Sequence, residues 1–390
     1  MSKVYLSQPG VITAAGTSLK ETFKSAMSQK TALKKIESFY NDKSFVLAKI
    51  YDDLEGFSTK TDEKFHTRTN QILLSATTQI LPQINRAITK FGRERVGVVI
   101  ATTTSGVEEN LSYFKTLAKT GIWDDKFSLD MNSLSNPAEF LHDFLRLSSA
   151  CFSVSTACTS GAKALIDAAR LIKSGLCDAV VCGGVDSLNT MTVLGFNSLE
   201  VLSDEVLNPF SKNRKGTNLG EGAAVFLLSK DEISDISLLG YATNTDAFHI
   251  TKPNPEAKFQ IKAIEDALKM ANLKSVDYVN LHATATMAND KMEAKAVFST
   301  LKNTPCSSSK PIIGHTLGAA GAIECALCYE MIEHENGLLP HLYDGAYDES
   351  LAPLNLALKL TNTKPKTALS TSFAFGGDNA VVIIGKNDEI

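Results

Sequence analysis

The sequence predicts an α/β protein in which two similar halves each hold a sheet covered by helices on both faces. Strands that are apolar along their whole length, such as Val96–Ala101 and Ala179–Cys182, alternate with segments of helical periodicity through the 390 residues. Such strands are typical of sheets that bury both faces. The alternation starts again near residue 235, so we expect an N-terminal half at 1–235 and a C-terminal half at 236–390.

The first half is assigned from short apolar runs, which predict strands, and from apolar residues three or four apart, which predict helices. Its predicted strands are Val4–Leu6, Gly10–Thr13, Phe45–Ile50, Val96–Ala101, Ala179–Cys182 and Ala223–Leu228. Its predicted helices are Leu19–Met27, Thr69–Phe91, Glu108–Leu117, Pro137–Leu145 and Ala164–Ile172. The loop TTTSG, residues 102–106, follows a buried strand and is expected to face the functional site.

The second half also alternates predicted strands and helices. Its predicted strands are Ser237–Ala242, Val276–Leu281, Ala368–Ser372 and Val381–Ile384. Its predicted helices are Pro255–Met270, Asp290–Leu301 and Thr316–His334. No low-complexity linker separates the halves, so we do not expect separately mobile domains.

Composition excludes several classes of protein. Hydrophobic residues at 44% and charged residues at 21% are ordinary for a globular chain, and a net charge of -4 gives no sign of nucleic-acid binding. No run of 18 apolar residues predicts a membrane span, and the first residues lack a secretory signal pattern. Seven irregularly spaced cysteines favour free thiols in a reducing cytoplasm. Cys325 and Cys328 lie inside a helical pattern, which favours buried packing over a metal or redox pair.

Cys158 is the candidate nucleophile. The segment VSTACTSGA, residues 154–162, begins as a strand and ends in small residues before the next helical pattern. We therefore expect Cys158 at a strand-to-helix turn, within the first turn of the helix. Free N–H groups and the positive end of the helix dipole would favour its thiolate there. A buried structural cysteine is the alternative, and two histidine segments favour the reactive interpretation.

Both histidines lie among small residues. His282 ends a predicted strand and precedes ATATMAND, with Glu293 in the following helix. The carboxyl ends of strands face the crevice in which α/β sheets bind ligands. His315 lies in KPIIGHTLGAAG, residues 310–321, where Lys310 and several glycines precede a helix. Those glycines indicate close approach of the backbone to another group, and neither phosphate-binding glycine motif is present.

Four segments, in this order, resemble the β-ketoacyl-acyl carrier protein synthases. They are VSTACTSGA at 154–162, HATAT with D and E following at 282–293, K-x4-H-TLGAAG at 310–321, and F-x-FGG-x-N at 373–379. The resemblance is to the Cys-His-His branch, the elongating condensing enzymes of fatty-acid and type II polyketide synthesis, and covers nearly the whole chain. It implies a thiolase-like five-layer αβαβα fold built from two duplicated halves, and usually a homodimer.

Chain extension needs a nucleophile that holds an acyl group as a thioester, and donors that stabilise the enolate formed when malonyl thioester loses CO2. The resemblance assigns Cys158 as the nucleophile and His282 and His315 as those donors. It assigns Lys310, with Glu293 as its partner, to keep the local charge favourable. A degradative thiolase would have a second cysteine near the C-terminus, and the chain-initiating branch an asparagine at 315, so decarboxylative elongation is the expected mechanism.

The resemblance also implies an oxyanion hole formed by the backbone N–H groups of Cys158 and Phe375, with Phe375 as a gate to the acyl pocket. The expected substrate contacts are Phe375, Glu293, Thr284, Thr286, Phe373 and Val107. Val107 and the 131–142 segment are candidates for setting acyl chain length. No cofactor is required, and relatives often hold a structural monovalent or divalent cation at positions matched by Asn280, Glu324 and Asn379.

The chain departs from the family pattern in ways that favour a specialised pathway. Ala283, Ala285 and Met287 replace the Gly or Ser and the Pro that are usual after the first histidine. The expected partner is an acidic acyl carrier protein, yet the face that should bind it carries Asp124, Asp125 and Glu200. The remaining positive contacts expected on that face are Lys60, Lys64, Arg68 and Arg214.

Two functions stay open at this stage. The first is an active elongating ketosynthase. The second is a non-catalytic partner, similar to a chain length factor, that forms a heterodimer with another ketosynthase and shapes its tunnel. Intact Cys158, His282 and His315 favour the first, and the altered carrier face favours the second.

Overall fold

A computed structural model describes residues 3–334 and 337–386 of the chain. Its strands are β1 (Tyr5–Leu6), β2 (Gly10–Thr13), β3 (Lys34–Tyr40), β4 (Lys43–Leu47), β5 (Val96–Ala101), β6 (Cys151–Val154), β7 (Ala179–Asp186), β8 (Gly222–Ser229), β9 (Ile236–Thr245), β10 (Tyr278–Asn280), β11 (Cys306–Ser307), β12 (Thr367–Phe373) and β13 (Asp378–Lys386).

Its α-helices alternate with these strands. They are α1 (Leu19–Met27), α2 (Arg68–Gln79), α3 (Leu81–Phe91), α4 (Leu111–Thr120), α5 (Leu129–Asn132), α6 (Asn136–Phe144), α7 (Ser160–Lys173), α8 (Thr190–Ser198), α9 (Lys258–Ala271), α10 (Met287–Leu301), α11 (Lys310–Ile313) and α12 (Ala320–His334). None of the helices in the described ranges is long and apolar enough to cross a membrane.

The main sheet runs in the order β11-β10-β12-β13-β9-β1-β8-β7-β5-β6, with β2 attached to β8. Parallel pairs lie towards its two ends, where β5 joins β6 and β7, and β10 joins β11 and β12. The short strand β1 connects the two halves, because Tyr5 pairs with both β8 and β9. The proposed division at residue 235 therefore remains a prediction, since one hydrogen-bonded sheet runs through both halves.

Three layers of helices alternate with the two parts of this sheet, which gives the five layers of the fold prediction. Helices α2, α3 and α6 pack on the outside of the N-terminal strands, and α9 packs on the outside of the C-terminal strands with α10 beside it. Helices α7 and α12 pack against each other and contact strands of both halves. The α7–α12 layer thus lies between the two parts of the sheet, and it brings the end of β6 close to the segment before α12.

Several predicted bounds are confirmed, namely those of β2, α1 and β5. The single helix predicted over Thr69–Phe91 is wrong: it breaks at Ile80, and α3 begins with Pro82 in its first turn. Proline has no N–H to donate, and its ring clashes with the carbonyl four residues earlier. The β3–β4 hairpin was not predicted, because mostly polar, exposed residues in β3 mask any alternation.

Candidate active site

Cys158 lies in a tight turn between β6 and α7. Ala157 has a φ of 53°, in the left-handed region, and Ser160 Oγ accepts a hydrogen bond from the Thr156 N–H at 2.8 Å. Helix α7 begins at Ser160, with Thr159 as its N-cap, so Cys158 precedes the helix instead of lying in its first turn. Gly161 allows α12 to approach, because a Cβ there would lie 2.8 Å from the backbone N of Ala322.

This packing brings the three predicted catalytic side chains together. Cys158, His282 and His315 are all buried, and one sulfur or nitrogen atom from each lies within 4.8 Å of the others. His315 Nε2 is 3.1 Å from Cys158 Sγ, and the two imidazole rings meet edge to face with centroids 5.4 Å apart. A nucleophile, a proton acceptor and a second imidazole therefore share one small space.

The thiolate expected for Cys158 is wrong for the resting protein. Burial raises the pKa of the Cys158 thiol to about 11, although Lys310 and the backbone N–H groups of Phe375 and Cys158 oppose that rise. Helix-end effects fall short because the cost of desolvating a charged sulfur outweighs them. Burial and the charge of Lys310 also hold the pKa of His315 well below its usual range. The pair therefore rests as a neutral thiol that donates to a neutral imidazole.

His282 is held by its backbone. Its N–H and that of Ala283 donate to the two carboxylate oxygens of Glu293, each at 2.7 Å, and the Thr371 hydroxyl donates to the same carboxylate. Glu293 is buried and does not line the cavity, so it positions His282 and is not a substrate contact. Ala283 and Ala285 have φ values of 44° and 60°, which glycine adopts with less strain.

Lys310 forms its ion pair with Glu324, and the predicted partner Glu293 is wrong. Both side chains of the Lys310–Glu324 pair are fully buried. Lys310 Nζ also lies 3.4 Å from His282 Nδ1, and its charge helps to hold the pKa of His282 well below its usual range. The sequence carries one signal for this pair: Glu324 lies in an otherwise apolar part of α12, where a carboxylate needs a partner.

His315 is fixed by two neighbouring segments. Its backbone N–H donates to the Asn218 carbonyl at 2.8 Å, and its carbonyl accepts from the Gly220 N–H at 2.9 Å. Asp186, at the end of β7, accepts six hydrogen bonds from the TTTSG loop and from the N–H of Gly318. The predicted loop therefore serves the site through Asp186, a residue that the sequence analysis missed.

A cavity of about 50 Å³ opens beside the three catalytic side chains. Of the predicted substrate contacts, Thr284, Thr286, Phe373 and Phe375 line it. Val107 is half-buried and is not among the described side chains that line it. Phe196 was not predicted, yet it lines the cavity and stacks on Phe375 at 5.8 Å. Thr217 is a second unpredicted member of the lining.

The expected cation site has a partial set of free oxygens. Asn280 Oδ1 and Glu324 Oε2 are buried without a partner among the described residues. Asn379 Oδ1 already accepts from Gln260 at 3.0 Å, and Lys310 already balances the charge of Glu324. Two free oxygens do not make a six-oxygen site, so the cation stays a prediction and no chemical step depends on it.

An outer cavity of about 300 Å³ shares Val201, Thr286 and Phe375 with the inner one, so we call it the vestibule. The charged residues that line the vestibule are Glu200, Arg214, Lys215 and Lys252. Lys215 pairs with Glu205 at 2.9 Å. Lys252 is exposed and has no ion pair within the described part of the chain.

Two predicted carrier contacts are wrong. Arg214 is buried and pairs with Asp348 at 2.7 Å, and Arg68 pairs with the buried Glu221 at 2.5 Å. Their charges are thus used inside the fold. The remaining predicted charges stay on the surface, with Lys60 exposed and Lys64 half-buried over the Phe65 ring. Glu200 is exposed at the vestibule, whereas Asp124 and Asp125 line a different surface depression beside Trp123.

Comparisons with known proteins extend over nearly the whole chain. Models for the N-terminal and C-terminal domains of beta-ketoacyl synthase match residues 9–233 and 236–342. A putative mitochondrial 3-oxoacyl-(acyl-carrier-protein) synthase of Schizosaccharomyces pombe is 32% identical over 74% of both chains. The 3-oxoacyl-(acyl-carrier-protein) synthase 2 of Coxiella burnetii is 27% identical over 98% of both.

Solved structures show the same similarity to beta-ketoacyl synthases. The ketosynthase ApeO in complex with its chain length factor ApeC, from Xenorhabdus doucetiae, aligns with a TM-score of 0.92 and 34% identity, over 99% of this chain and 98% of that one. A beta-ketoacyl synthase from Burkholderia phymatum aligns with a TM-score of 0.89 and 26% identity, over 99% and 100%. The thiolase-like fold inferred from four motifs is therefore confirmed.

Proposed function

Because the chain belongs to the beta-ketoacyl synthase family, we propose that it condenses an acyl group held on Cys158 with a malonyl thioester, with loss of CO2. The observation that carries this proposal is the meeting of Cys158, His282 and His315 within 4.8 Å in one buried cavity. The same set favours a catalytic subunit over a chain-length-factor-like partner, because it keeps a nucleophile, a proton acceptor and a hydrogen-bond donor.

The first step is acyl transfer. His315 Nε2, 3.1 Å from Sγ, takes the thiol proton as Cys158 attacks the acyl-carrier thioester, and the leaving carrier thiol takes that proton. The backbone N–H groups of Cys158 and Phe375 lower the pKa of the Cys158 thiol, so both lie beside Sγ, where they would stabilise the oxyanion that develops on the attacked carbonyl. A thiol with a pKa of about 11 needs this acceptor, since little thiolate exists at neutral pH.

The second step is decarboxylation. Lys310 donates to His282 Nδ1, which leaves the proton of the neutral ring on Nε2 as a donor to the malonyl thioester oxygen. His315 Nδ1 has no partner among the described residues, so neither tautomer is fixed. His315 can accept the thiol proton in the first step and donate from Nε2 in the second. As the bond to the carboxylate breaks, its electron pair forms the enolate and CO2 leaves.

The third step forms the new carbon–carbon bond. The enolate carbon attacks the Cys158 thioester, and the tetrahedral intermediate then expels the cysteine sulfur. That sulfur recovers a proton from solvent, because burial raises its pKa to about 11. The product leaves on the carrier, extended by two carbons.

The test uses purified chain with hexanoyl- and malonyl-carrier proteins. Cys158→Ala should abolish condensation and keep malonyl decarboxylation, because decarboxylation needs donors and no nucleophile. His282→Ala or His315→Ala should lower decarboxylation by about 10²–10³-fold, the usual loss for one such donor. Wild-type chain that neither condenses nor decarboxylates would refute the catalytic assignment and leave the partner-subunit function.

The carrier contact is proposed at the vestibule. Lys252 offers a free positive charge there, while Glu200 opposes an acidic carrier. We therefore expect a dedicated, less acidic carrier to be used better than a general fatty-acid carrier, as in a specialised pathway. The seven free thiols support a cytoplasmic location for this reaction.

A second ketosynthase-fold subunit is proposed to pair at the β6 edge. Strand β6 ends the main sheet, and helices α4 and α5, which precede it in the chain, have no buried residue. Large apolar side chains are exposed between α4 and α5, in α5 and in β6, namely Ile122, Trp123, Leu129 and Phe152. Support comes from ApeO, which was solved with its chain length factor. Sedimentation of the purified chain decides between a homodimer, which gives dimer mass alone, and a heterodimer, which needs a co-expressed partner.

A further inference from the structure

Thr217 has a buried hydroxyl that the mechanism so far does not use. The residue is 1% exposed, and its Oγ1 has no hydrogen-bond partner among the described residues. It nevertheless lines the cavity that holds Cys158, His282 and His315. A buried hydroxyl without a partner destabilises a protein relative to an apolar group of the same shape. Its presence therefore calls for an acceptor that arrives with the substrate.

The backbone holds Thr217 rigidly beside the catalytic histidine. Its N–H donates to the Val201 carbonyl and its carbonyl accepts from the Ser203 N–H, both at 2.8 Å. The next residue, Asn218, accepts the backbone N–H of His315 at 2.8 Å. Thr217 is thus one residue away from the segment that fixes His315, and its backbone position beside the cavity is fixed by the same pairing.

The reactants offer three kinds of acceptor at this end of the cavity. In the proposed mechanism the thioester carbonyl on Cys158 faces the two backbone N–H groups, and the malonyl thioester carbonyl faces the two imidazoles. The malonyl carboxylate is the acceptor that remains. Phe196, Val201 and Phe373 are apolar and offer it no hydrogen bond. The other polar side chains of the lining already have partners in the protein: Thr284 and Thr286 bond to each other, and the amides of Asn289 and Asn379 donate to other oxygens.

We propose that the Thr217 hydroxyl donates a hydrogen bond to the malonyl carboxylate. This inference rests on the proposed decarboxylative function and names a specificity residue for it. The bond forms in the bound substrate and weakens as the carboxylate becomes CO2. It therefore favours binding of the charged extender over a neutral acyl thioester and contributes little to the rate of carbon–carbon cleavage.

The test compares Thr217→Val, which removes the hydroxyl at nearly constant volume, with Thr217→Ser, which keeps it. Malonyl-pantetheine and acetyl-pantetheine are the probes, because neither depends on carrier docking. Thr217→Val should raise the KM for malonyl-pantetheine decarboxylation by about 10- to 100-fold, the effect of losing a bond to a charged acceptor. The kcat should not fall and should rise if the bond is already weakened in the transition state. Acylation of Cys158 by acetyl-pantetheine should keep its wild-type KM, and Thr217→Ser should resemble wild type with both substrates.

A stability measurement gives a second readout. Thr217→Val should raise the thermal midpoint of the free protein by about 1–4 °C, because it removes an unsatisfied buried hydroxyl. Thr77→Val is the matched control: its hydroxyl is also buried but donates to the Leu73 carbonyl at 2.8 Å, so this change should lower the midpoint and leave every KM unchanged.

Four results would overturn the inference. An unchanged malonyl KM in Thr217→Val excludes the bond. Equal increases in KM for acetyl- and malonyl-pantetheine would show that the hydroxyl binds the pantetheine arm that both substrates share. An equal increase in the malonyl KM in Thr217→Val and Thr217→Ser would show that the effect comes from altered side-chain packing and not from the hydroxyl. Wild-type protein that fails to decarboxylate malonyl-pantetheine would refute the proposed function itself, and this inference with it.

Discussion

Replacing Lys310 with methionine separates two roles of one buried ammonium. Lys310 balances the charge of Glu324 and also contacts His282 Nδ1. Lys310→Met leaves Glu324 buried without its partner, and breaking a buried pair from one side costs about 3–5 kcal/mol. A chain of 390 residues has an unfolding entropy of about 0.8 kcal/mol per degree, so the thermal midpoint should fall by about 4–6 °C above pH 8.

The pH dependence of that loss follows from the Glu324 carboxyl. Burial raises its pKa to about 7, and Lys310 limits the rise. A carboxyl whose folded pKa exceeds its unfolded pKa gives stability that is complete below the unfolded value and is lost as pH rises through the folded value. In the wild type the stability contributed by the Glu324 carboxyl is lost by about pH 7. In Lys310→Met the pKa of Glu324 is higher, so stability continues to fall as pH rises further. The difference in midpoint should therefore be small at pH 6 and widen above pH 7.

Differential scanning calorimetry across pH, with malonyl decarboxylation measured in parallel, distinguishes the roles. Lys310→Met/Glu324→Gln removes both charges and should recover most of the stability. It should not recover decarboxylation, which we expect to stay about 10- to 100-fold low because His282 Nδ1 has lost the donor that orients its proton. Full decarboxylation by the double variant would refute the orienting role. A wild-type midpoint for Lys310→Met at pH 9 would refute the buried ion pair.

Two further predictions concern reactivity and docking. Labelling of Cys158 by limiting iodoacetamide, followed by mass spectrometry, should rise about tenfold per pH unit from pH 7 to 10, because its thiol pKa is about 11; a pH-independent rate would contradict a neutral resting thiol. Glu200→Arg should raise kcat/KM with a general acidic carrier about two- to tenfold at low salt, and Lys252→Glu should lower it. Added salt should erase both effects. Glu232→Arg, which lies away from the vestibule, serves as the control. Equal rates for wild type, Glu200→Arg and Lys252→Glu at every salt concentration would exclude the vestibule as the carrier contact.

Local patterns were sufficient for much of the fold and for the reactive side chains. The bounds of β2, α1 and β5 follow from runs and spacings of apolar residues, which depend on neighbours a few positions away. Cys158, His282 and His315 were found because each lies in a segment of small residues that only close backbone packing explains. Structure then brought these three segments, more than 30 residues apart at their closest, into one cavity.

Charge pairing could not be predicted in the same way. The family resemblance pairs Lys310 with Glu293, whereas the packing of α12 against the sheet brings Glu324 to Lys310 instead. Arg68 and Arg214 looked like surface cations because their acidic partners, such as Asp348, come from distant parts of the chain. Long side chains accept many partners, so the sequence leaves this choice open.

By itself, then, the sequence determined which residue types carry the chemistry and in which local turns they lie. Tertiary structure decided the protonation and the hydrogen bonding of these residues. The Cys158 thiol is neutral, and the Thr217 hydroxyl is left without an acceptor among the described residues, because of what surrounds them after folding. Desolvation and hydrogen bonding act over a few ångströms. The residues that come that close after folding are separated by tens to hundreds of residues in the sequence.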